Sequence, residues 1–121
     1  MRLKPLLPSL REKKRYILFK VISEEKVNLE QIKEAFFNSI LNMFGEKGLA
    51  QINAKFLENL WDDEEQIGIL RISNRGKYKS IVGLGLISRI GDSRVNIKIY
   101  KVSGTIKTLI EKFKDRKELK N

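Results

Sequence analysis

Residues 15–23, with the sequence RYILFKVIS, form a short run of β-branched, aromatic and aliphatic side chains. This composition is typical of a β-strand. Apolar residues at consecutive positions also indicate that both faces of the strand are buried. We therefore predict a central strand here, with the rest of the chain packed around it.

The segment after this strand has the spacing of an amphipathic helix. Asn28 and Gln31 stand three residues apart, as in a capping box that opens a helix. Gly45 is predicted to end the helix, and Gly45 and Gly48 to bracket a tight connection. The apolar residues that recur at helical spacing are Leu29, Ile32, Phe36, Ile40 and Met43.

The next two predicted strands form a hairpin. Residues 49–60 alternate as a half-buried strand does, a polar turn follows at residues 62–65, and residues 66–73 (QIGILRIS) form the second strand. One face of the first strand is expected to carry Ile52, Ala54 and Phe56, and the other Gln51, Asn53 and Lys55.

A helix, a strand and a further helix are predicted to complete the chain. Ser73 or Asn74 caps the first of these helices, which runs to about Ile90 and ends at Gly91. Gly83 and Gly85 are expected to let this helix pack closely on the sheet. Its predicted apolar stripe contains Tyr78, Ile81, Val82 and Leu86.

The last strand is predicted at residues 93–102, which alternate again. A final helix begins near residues 103–105. The apolar face of this helix is expected to carry Ile106, Leu109, Ile110 and Phe113, with lysines on the opposite face.

This order of elements predicts an α+β fold, a ferredoxin-like or RNA-recognition-motif-like split βαβ with a four-stranded antiparallel sheet and an additional C-terminal helix. We divide the chain into a basic N-terminal arm, residues 1–14, and a single such domain, residues 15–121, which includes the basic C-terminal helix. The sheet face opposite the two central helices is expected to show Asn53, Lys55, Asn96, Lys98 and Tyr100.

The composition restricts the possible functions. The chain has 121 residues, enough for one domain, and it contains neither Cys nor His. Disulfides, Cys/His metal sites and Ser-His or Cys-His nucleophiles are therefore excluded. The sequence has no apolar run of membrane-spanning length and no signal-peptide pattern. We expect a soluble, cytoplasmic protein with no membrane partner.

The distribution of charge points to a nucleic-acid partner. The formal net charge is +10, of which residues 1–20 contribute +6, residues 101–121 contribute +4, and the eleven cations and eleven acids between them cancel. Two basic ends on a neutral body favour a phosphate-binding footprint. Charged ends that only keep the domain soluble are the alternative.

Several residues are candidates for RNA contacts, each with a structural alternative. Arg11, Lys13, Lys14 and Arg15 form a run suited to phosphate neutralisation, or else a solvated charge run. Ser103, Thr105 and Lys107 begin a helix where free N–H groups and a lysine would bind an anion, or where the two hydroxyls only cap the helix. Lys112 follows on the same helix. Tyr100 beside Lys98 would stack on a base or pack on a neighbour.

Two other groups of residues, the acidic run and the aromatic residues of the strands, are weaker candidates for a functional site. The acidic run at residues 62–65 would have to bind Mg²⁺ in a nuclease, but successive turn residues seldom converge on one ion, and a solvated turn is the favoured interpretation. The strand at residues 66–73 lacks the aromatic residues with which RNA-recognition motifs stack bases. Tyr16 and Phe19 point to opposite faces of the first strand.

Three segments together resemble a known family. Residues 7–16 (LPSLREKKRY), residues 68–71 (GILR) with Arg75 and Tyr78, and residues 103–107 (SGTIK) with Lys112 and Phe113 are similar to the Pop-type subunit of archaeal and eukaryotic ribonuclease P, also called archaeal protein component 2. The similarity runs over nearly the whole chain, with the motifs in the same order.

The resemblance implies a protein subunit with no catalytic residues of its own. It would assist the ribonuclease P RNA, which uses Mg²⁺ bound by the RNA itself, in removing the 5′ leader of precursor tRNA. The protein would bind no cofactor and would touch precursor tRNA only indirectly. The implied partners are that RNA, a TIM-barrel protein subunit and a second copy of the chain. The alternatives are another ferredoxin-like RNA-binding protein, such as a ribosome-associated factor, and a nuclease using Asp62 and Asp63.

Overall fold

The β-strands of the described chain form one antiparallel sheet, curled around a long helix. The computed structural model describes residues 13–114, and side chains as far as residue 111. Within that range the sheet has five strands in the order β2-β3-β1-β5-β4. The strands are β1 (Lys14–Ser23), β2 (Lys55–Phe56), β3 (Ile67–Ser73), β4 (Arg89–Ile90) and β5 (Ser93–Ser103), and the helices are α1 (Leu29–Ile52), α2 (Lys77–Gly85) and α3 (Ile106–Lys114).

Strand β1 is the centre of the sheet, as its composition predicts. It pairs with β3 on one side and β5 on the other, both antiparallel. Ile17, Phe19 and Val21 are buried towards α1 and α2, and Leu18 is buried on the opposite face. A strand flanked on both edges and covered on both faces needs apolar residues at consecutive positions, which is the pattern of this segment.

Helix α1 begins at the predicted capping box but does not end where expected. Asn28 Oδ1 accepts from the Gln31 N–H, and Gln31 Oε1 accepts from the Asn28 N–H. Gly45 kinks the helix with φ 75° and ψ −174°, and the chain then returns to helix as far as Ile52. The residues after the kink include Glu46, Lys47, Ala50 and Gln51, which are strong helix formers.

The predicted strand at residues 49–60 is therefore wrong over most of its length. The end of α1 takes its first residues, Asn53 ends that helix with φ 49°, and only Lys55 and Phe56 pair with β3. Phe56 holds this short strand, since its ring meets Phe19 and Phe36 edge to face at 5.9 and 5.5 Å between centroids. Such pairs each contribute about 0.5–1.5 kcal/mol beyond area burial.

Helix α2 is shorter than predicted and turned differently. Ser73 accepts from the Gly76 N–H, as expected of a capping residue, and a 3₁₀ turn leads into the helix. The helix ends at Gly85, and residues 89–90 form strand β4, which pairs with β5 where the sequence predicted more helix. This hairpin gives the described chain its fifth strand, where the sequence predicted four.

Three residues of the predicted apolar stripe of α2, Tyr78, Val82 and Leu86, are exposed, whereas the fourth, Ile81, packs against the core. Ser80, Gly83 and Leu84 are the buried residues of this helix. A β-carbon on Gly83 would lie 2.3 Å from Cδ1 of Ile40, so this glycine lets α2 approach α1, not the sheet. Gly85 has open space around it. The close contact between the two helices therefore selects the face with Ser80, Gly83 and Leu84. The side chains of Tyr78, Val82 and Leu86 point outwards.

Helix α3 covers part of the other face of the sheet. Leu109 is fully buried there, packed with Leu18, Ile67 and Ile69. This outer apolar cluster is separate from the main core beneath α1 and α2. The additional C-terminal helix predicted from the sequence is thus present, and it packs on the sheet. Within residues 13–114, no helix has the length and apolar character needed to cross a membrane.

Candidate nucleic-acid interface

The first part of the candidate interface is the start of β1. Lys13 is exposed, and its carbonyl accepts from the Asn74 N–H at 2.8 Å, which fixes the backbone beside the end of β3. Lys14 and Arg15 are half-buried, and Arg15 Nη1 donates to the Lys14 carbonyl at 3.0 Å. Arg11 and the arm before it lie outside the described residues.

The second part is the turn between β5 and α3. Ser103 ends the strand, and its Oγ accepts from the Thr105 N–H at 3.2 Å. The Thr105 and Thr108 hydroxyls are 2.9 Å apart and hydrogen-bonded. These hydroxyls are hydrogen-bonded within the turn and the first turn of the helix, and Lys107 is exposed beside them. The side chain of Lys112 lies outside the described part of the chain.

The fold brings these two segments together. Tyr16 on β1 is the register partner of Ser103 on β5. A β-carbon on Gly104 would lie 3.3 Å from Nη1 of Arg15, so the guanidinium lies against the turn. The cations at residues 13–15 and Lys107 therefore share one end of the sheet, although about 90 residues separate them in sequence. We call this end of the sheet the basic end.

Lys98 and Tyr100 do not belong to the basic end. Lys98 pairs in register with Lys20, four residues along β1 from Tyr16. Its Nζ lies 5.8 Å from the centroid of the Tyr100 ring, a cation–π contact. Tyr100 is half-buried against the outer apolar cluster, which favours packing on neighbours over stacking on a base.

The sheet face predicted to be open is only partly open. Helix α3 covers its middle through Leu109, so a flat base-stacking platform is not present in the described chain. Asn53 was placed on this face but ends α1 instead. Lys55, Asn96 and Lys98 are exposed around the covered area.

The acidic run has the geometry of a turn. Asp62 Oδ1 accepts from the N–H groups of Glu64 and Glu65, both at 3.0 Å, and Asp62 forms a bridge with Ile67. In the described range, 13–114, no group of three acidic residues is placed to hold a metal ion. The carboxylate of Asp62 therefore stabilises the loop that leads into β3.

Two features of the surface were missed by the sequence analysis. Arg71 pairs in register with both Tyr16 and Lys55, so it stands next to the basic end, but the neutral total for residues 21–100 concealed it. The second is an apolar surface on α2, where Tyr78, Val82 and Leu86 are 74%, 44% and 48% exposed. Their i, i+4, i+8 spacing was visible in the sequence but was assigned to the core.

Comparison with known proteins gives one consistent family. Residues 15–114 match the Rpp14/Pop5 family. A protein from Pyrococcus furiosus named ribonuclease P protein component 2 is 45% identical over 110 residues, covering 91% of this chain and 90% of that protein. Proteins of the same name from Thermococcus kodakarensis and Methanosarcina mazei are 36% and 32% identical, each covering at least 92% of both chains.

A solved structure has the same fold. A chain of yeast ribonuclease MRP, determined by cryo-electron microscopy, superimposes with a TM-score of 0.62. The match covers 90% of this chain and 94% of the yeast chain at 13% sequence identity. At that identity, the likeness concerns the arrangement of helices and strands.

Proposed function

The chain belongs to the Rpp14/Pop5 family and is a protein subunit of ribonuclease P, and we propose that it binds the catalytic RNA through the basic end of its sheet. In that role it assists the RNA in removing the 5′ leader of precursor tRNA, and it touches the precursor only indirectly. The Mg²⁺ ions of the reaction would be bound by the RNA.

The observation that supports this proposal is the contact between Arg15 and the turn at Gly104. Through this contact, cations from two segments that are distant in sequence lie on one surface, next to the start of helix α3. Lysine and arginine side chains that neutralise phosphates release counterions, and this release supplies much of the affinity for nucleic acid. The N–H groups at a helix start add a favourable field for a phosphate.

The strand order supports the finer description of the fold. Without the short strand β4, the order is β2-β3-β1-β5, which suits a ferredoxin-like, RNA-recognition-motif-like sheet. Helix α3 occupies the face where such domains stack bases. We propose that this protein recognises the backbone of folded RNA and does not stack on its bases.

Family membership places the protein in a ribonucleoprotein with RNA and other protein subunits. We propose that the exposed apolar face of α2, made by Tyr78, Val82 and Leu86, binds the TIM-barrel subunit or a second copy of this chain. A groove lined by Asn38, Met43, Leu86 and Arg89 adjoins this face. Exposed large side chains in one cluster are typical of protein interfaces. A cytoplasmic location stays a prediction.

The test is to isolate the protein from its own cells and sequence the RNA that accompanies it. Ribonuclease P RNA is the expected result, whereas ribosomal RNA would overturn the proposal in favour of a ribosome-associated factor. In a parallel assay, the pure protein is mixed with precursor tRNA and Mg²⁺. We expect no cleavage, and cutting at the mature 5′ end by a clean preparation would contradict the subunit role.

A further inference from the structure

Seven of the eleven acidic residues in the range 21–100 lie in loops at one end of the sheet, which we call the acidic end. Strands β3 and β5 both run antiparallel to β1, so the end of β1 lies beside the start of each. The loops at this end contain Glu24, Glu25, Asp62, Asp63, Glu64, Glu65 and Asp92. The charge of residues 21–100 is therefore zero in sum but polarised in space.

The opposite end has a row of paired residues across four strands. Lys55 on β2 pairs with Arg71 on β3, Arg71 with Tyr16 on β1, and Tyr16 with Ser103 on β5. Register partners point to the same face of a sheet. The row is about 14 Å long, at roughly 4.8 Å per strand spacing, and it ends at the turn against which Arg15 lies.

Two cations stand directly opposite each other in this row. Like charges at such positions destabilise a sheet, and within residues 13–114 neither Lys55 nor Arg71 takes part in an ion pair. Glu58 is close enough to Lys55 for a weak attraction, but its carboxylate is hydrogen-bonded to Lys33. Elsewhere in the body, Lys26 is paired with Glu64. The Lys55–Arg71 pair is thus an unneutralised positive site.

We propose that Lys55 and Arg71 bind the phosphate backbone of the RNA and extend the basic end across the sheet. The row then continues the basic end from β5 and β1 across β3 to β2 as one phosphate-binding track, while the acidic end faces away from the RNA. This inference rests on the proposed function. It adds two body residues to the contacts and fixes the direction in which the RNA crosses the sheet.

The experiment compares two double variants with the same loss of charge. Lys55→Gln with Arg71→Gln removes the pair, and Lys26→Gln with Arg94→Gln removes one lysine and one arginine near the acidic end. The affinity of each full-length protein for an in vitro transcript of its own ribonuclease P RNA is measured against salt concentration. Two lost phosphate contacts should flatten the slope of log affinity against log salt by about 1.4–1.8. The control should flatten it by less than half as much.

The outcomes separate the inference from the proposed function. If the wild type binds the transcript with a steep slope and the two double variants behave alike, the Lys55–Arg71 site is wrong and the subunit role stands. If the wild type does not bind the transcript, both fail.

Arg71 is half-buried, so thermal unfolding of each variant is measured first. Should the double variant unfold, Lys55→Gln alone carries the test, with an expected change of about 0.7–0.9 in slope. An unchanged slope would overturn the inference. Arg71→Lys retains the charge and should retain the slope.

Discussion

The side chain of Gln66 is hydrogen-bonded to the backbone of Val27 at two points. Its Oε1 accepts from the Val27 N–H and its Nε2 donates to the Val27 carbonyl, each at 3.0 Å. Nε2 also donates to the Asp63 carbonyl. Because Gln66 is 6% exposed, this amide fastens the loop before α1 to the turn before β3 from inside the protein.

Replacing Gln66 by Ala should lower the free energy of unfolding by about 2–4 kcal/mol, since it leaves two buried backbone groups of Val27 without partners at about 1–3 kcal/mol each. Urea unfolding measures this loss. Gln66 also has φ 58°, a conformation that costs a non-glycine residue about 1 kcal/mol or more. Gln66→Gly should therefore be less damaging than Gln66→Ala. Equal stability of Gln66→Ala and wild type would show that these bonds contribute nothing.

Gly45 should be difficult to replace because of its backbone conformation. Its φ of 75° and ψ of −174° fall in a region that is essentially restricted to glycine, at a cost of about 1–3 kcal/mol for other residues. We expect Gly45→Ala to lower the free energy of unfolding by that amount, measured by chemical denaturation. Gly85→Ala is the matched control. It lies in helix with open space around it, and should raise stability by about 0.4–1 kcal/mol.

These glycines also show what the sequence could and could not predict. Strand β1, the capping box at Asn28 and the cap at Ser73 depend on nearby residues, and their positions were found. Gly45 was correctly marked as an interruption, but whether a helix resumes after it depends on how Ile52 packs in the core. The alternation around Phe56 extended the predicted strand too far.

The candidate interface was predictable only in its local parts. The basic runs are visible in the sequence, but their meeting at Arg15 and Gly104 depends on the pairing of β1 with β5. The alignment of Lys55 with Arg71 depends on a strand of two residues. The choice of face on α2 depends on the contact between Gly83 and Ile40. Each of these is a contact between residues far apart in the sequence, and neither a charge count nor a hydrophobic periodicity predicts such contacts.

The exposed face of α2 should matter for assembly and not for folding. Val82→Lys with Leu86→Gln changes two exposed residues, so the free energy of unfolding should stay within about 0.5 kcal/mol of the wild-type value. Binding to the TIM-barrel subunit, or self-association, should weaken by at least tenfold in analytical ultracentrifugation. Ile22→Gln, on an exposed apolar residue of β1, is the control. Unaltered association of the α2 variant would place the partner elsewhere.

The ion pair between Lys33 and Glu58 predicts a pH dependence. The hydrogen bond to Glu58 raises the pKa of Lys33, and the bond to Lys33 lowers the pKa of Glu58. The stabilisation from Glu58 is present above the ordinary pKa of a carboxyl group and is lost as pH falls through the lowered value. The stabilisation from Lys33 is present below the ordinary pKa of a lysine and is lost as pH rises through the raised value.

Glu58→Gln should therefore be less stable than wild type near pH 7, and the difference should shrink in acid. The effect is small because the pair is solvated. The difference in stability is measured by thermal unfolding between about pH 3 and pH 8, a range that includes the ordinary pKa of a carboxyl group. Glu34→Gln, on the exposed side of α1, gives the baseline. A difference between Glu58→Gln and wild type that persists unchanged at low pH would show that the ion pair is not its cause.

The basic run before and within β1 should supply a large part of the RNA affinity. Changing Arg11, Lys13, Lys14 and Arg15 to Ala should weaken binding and flatten the salt slope by about 2–3 units, if most of them contact phosphate. Changing Lys107 and Lys112 should act in the same direction by a smaller amount. Arg15 also lies against Gly104, so its loss should loosen the turn that positions Lys107.

The control for this prediction is a third variant in which Lys26, Lys33 and Lys47 are changed to Ala. Lys26 and Lys33 are already paired with acidic residues, and a paired cation has less charge to offer a phosphate. All three variants are measured for RNA affinity over a range of salt concentrations, after thermal unfolding has confirmed that they fold. The basic-run variant should lose the most slope, because Lys13, Lys14 and Arg15 lie where β1 starts, beside the end of β5. An unchanged slope in that variant, or a larger loss from the three control lysines, would place the RNA on a different surface.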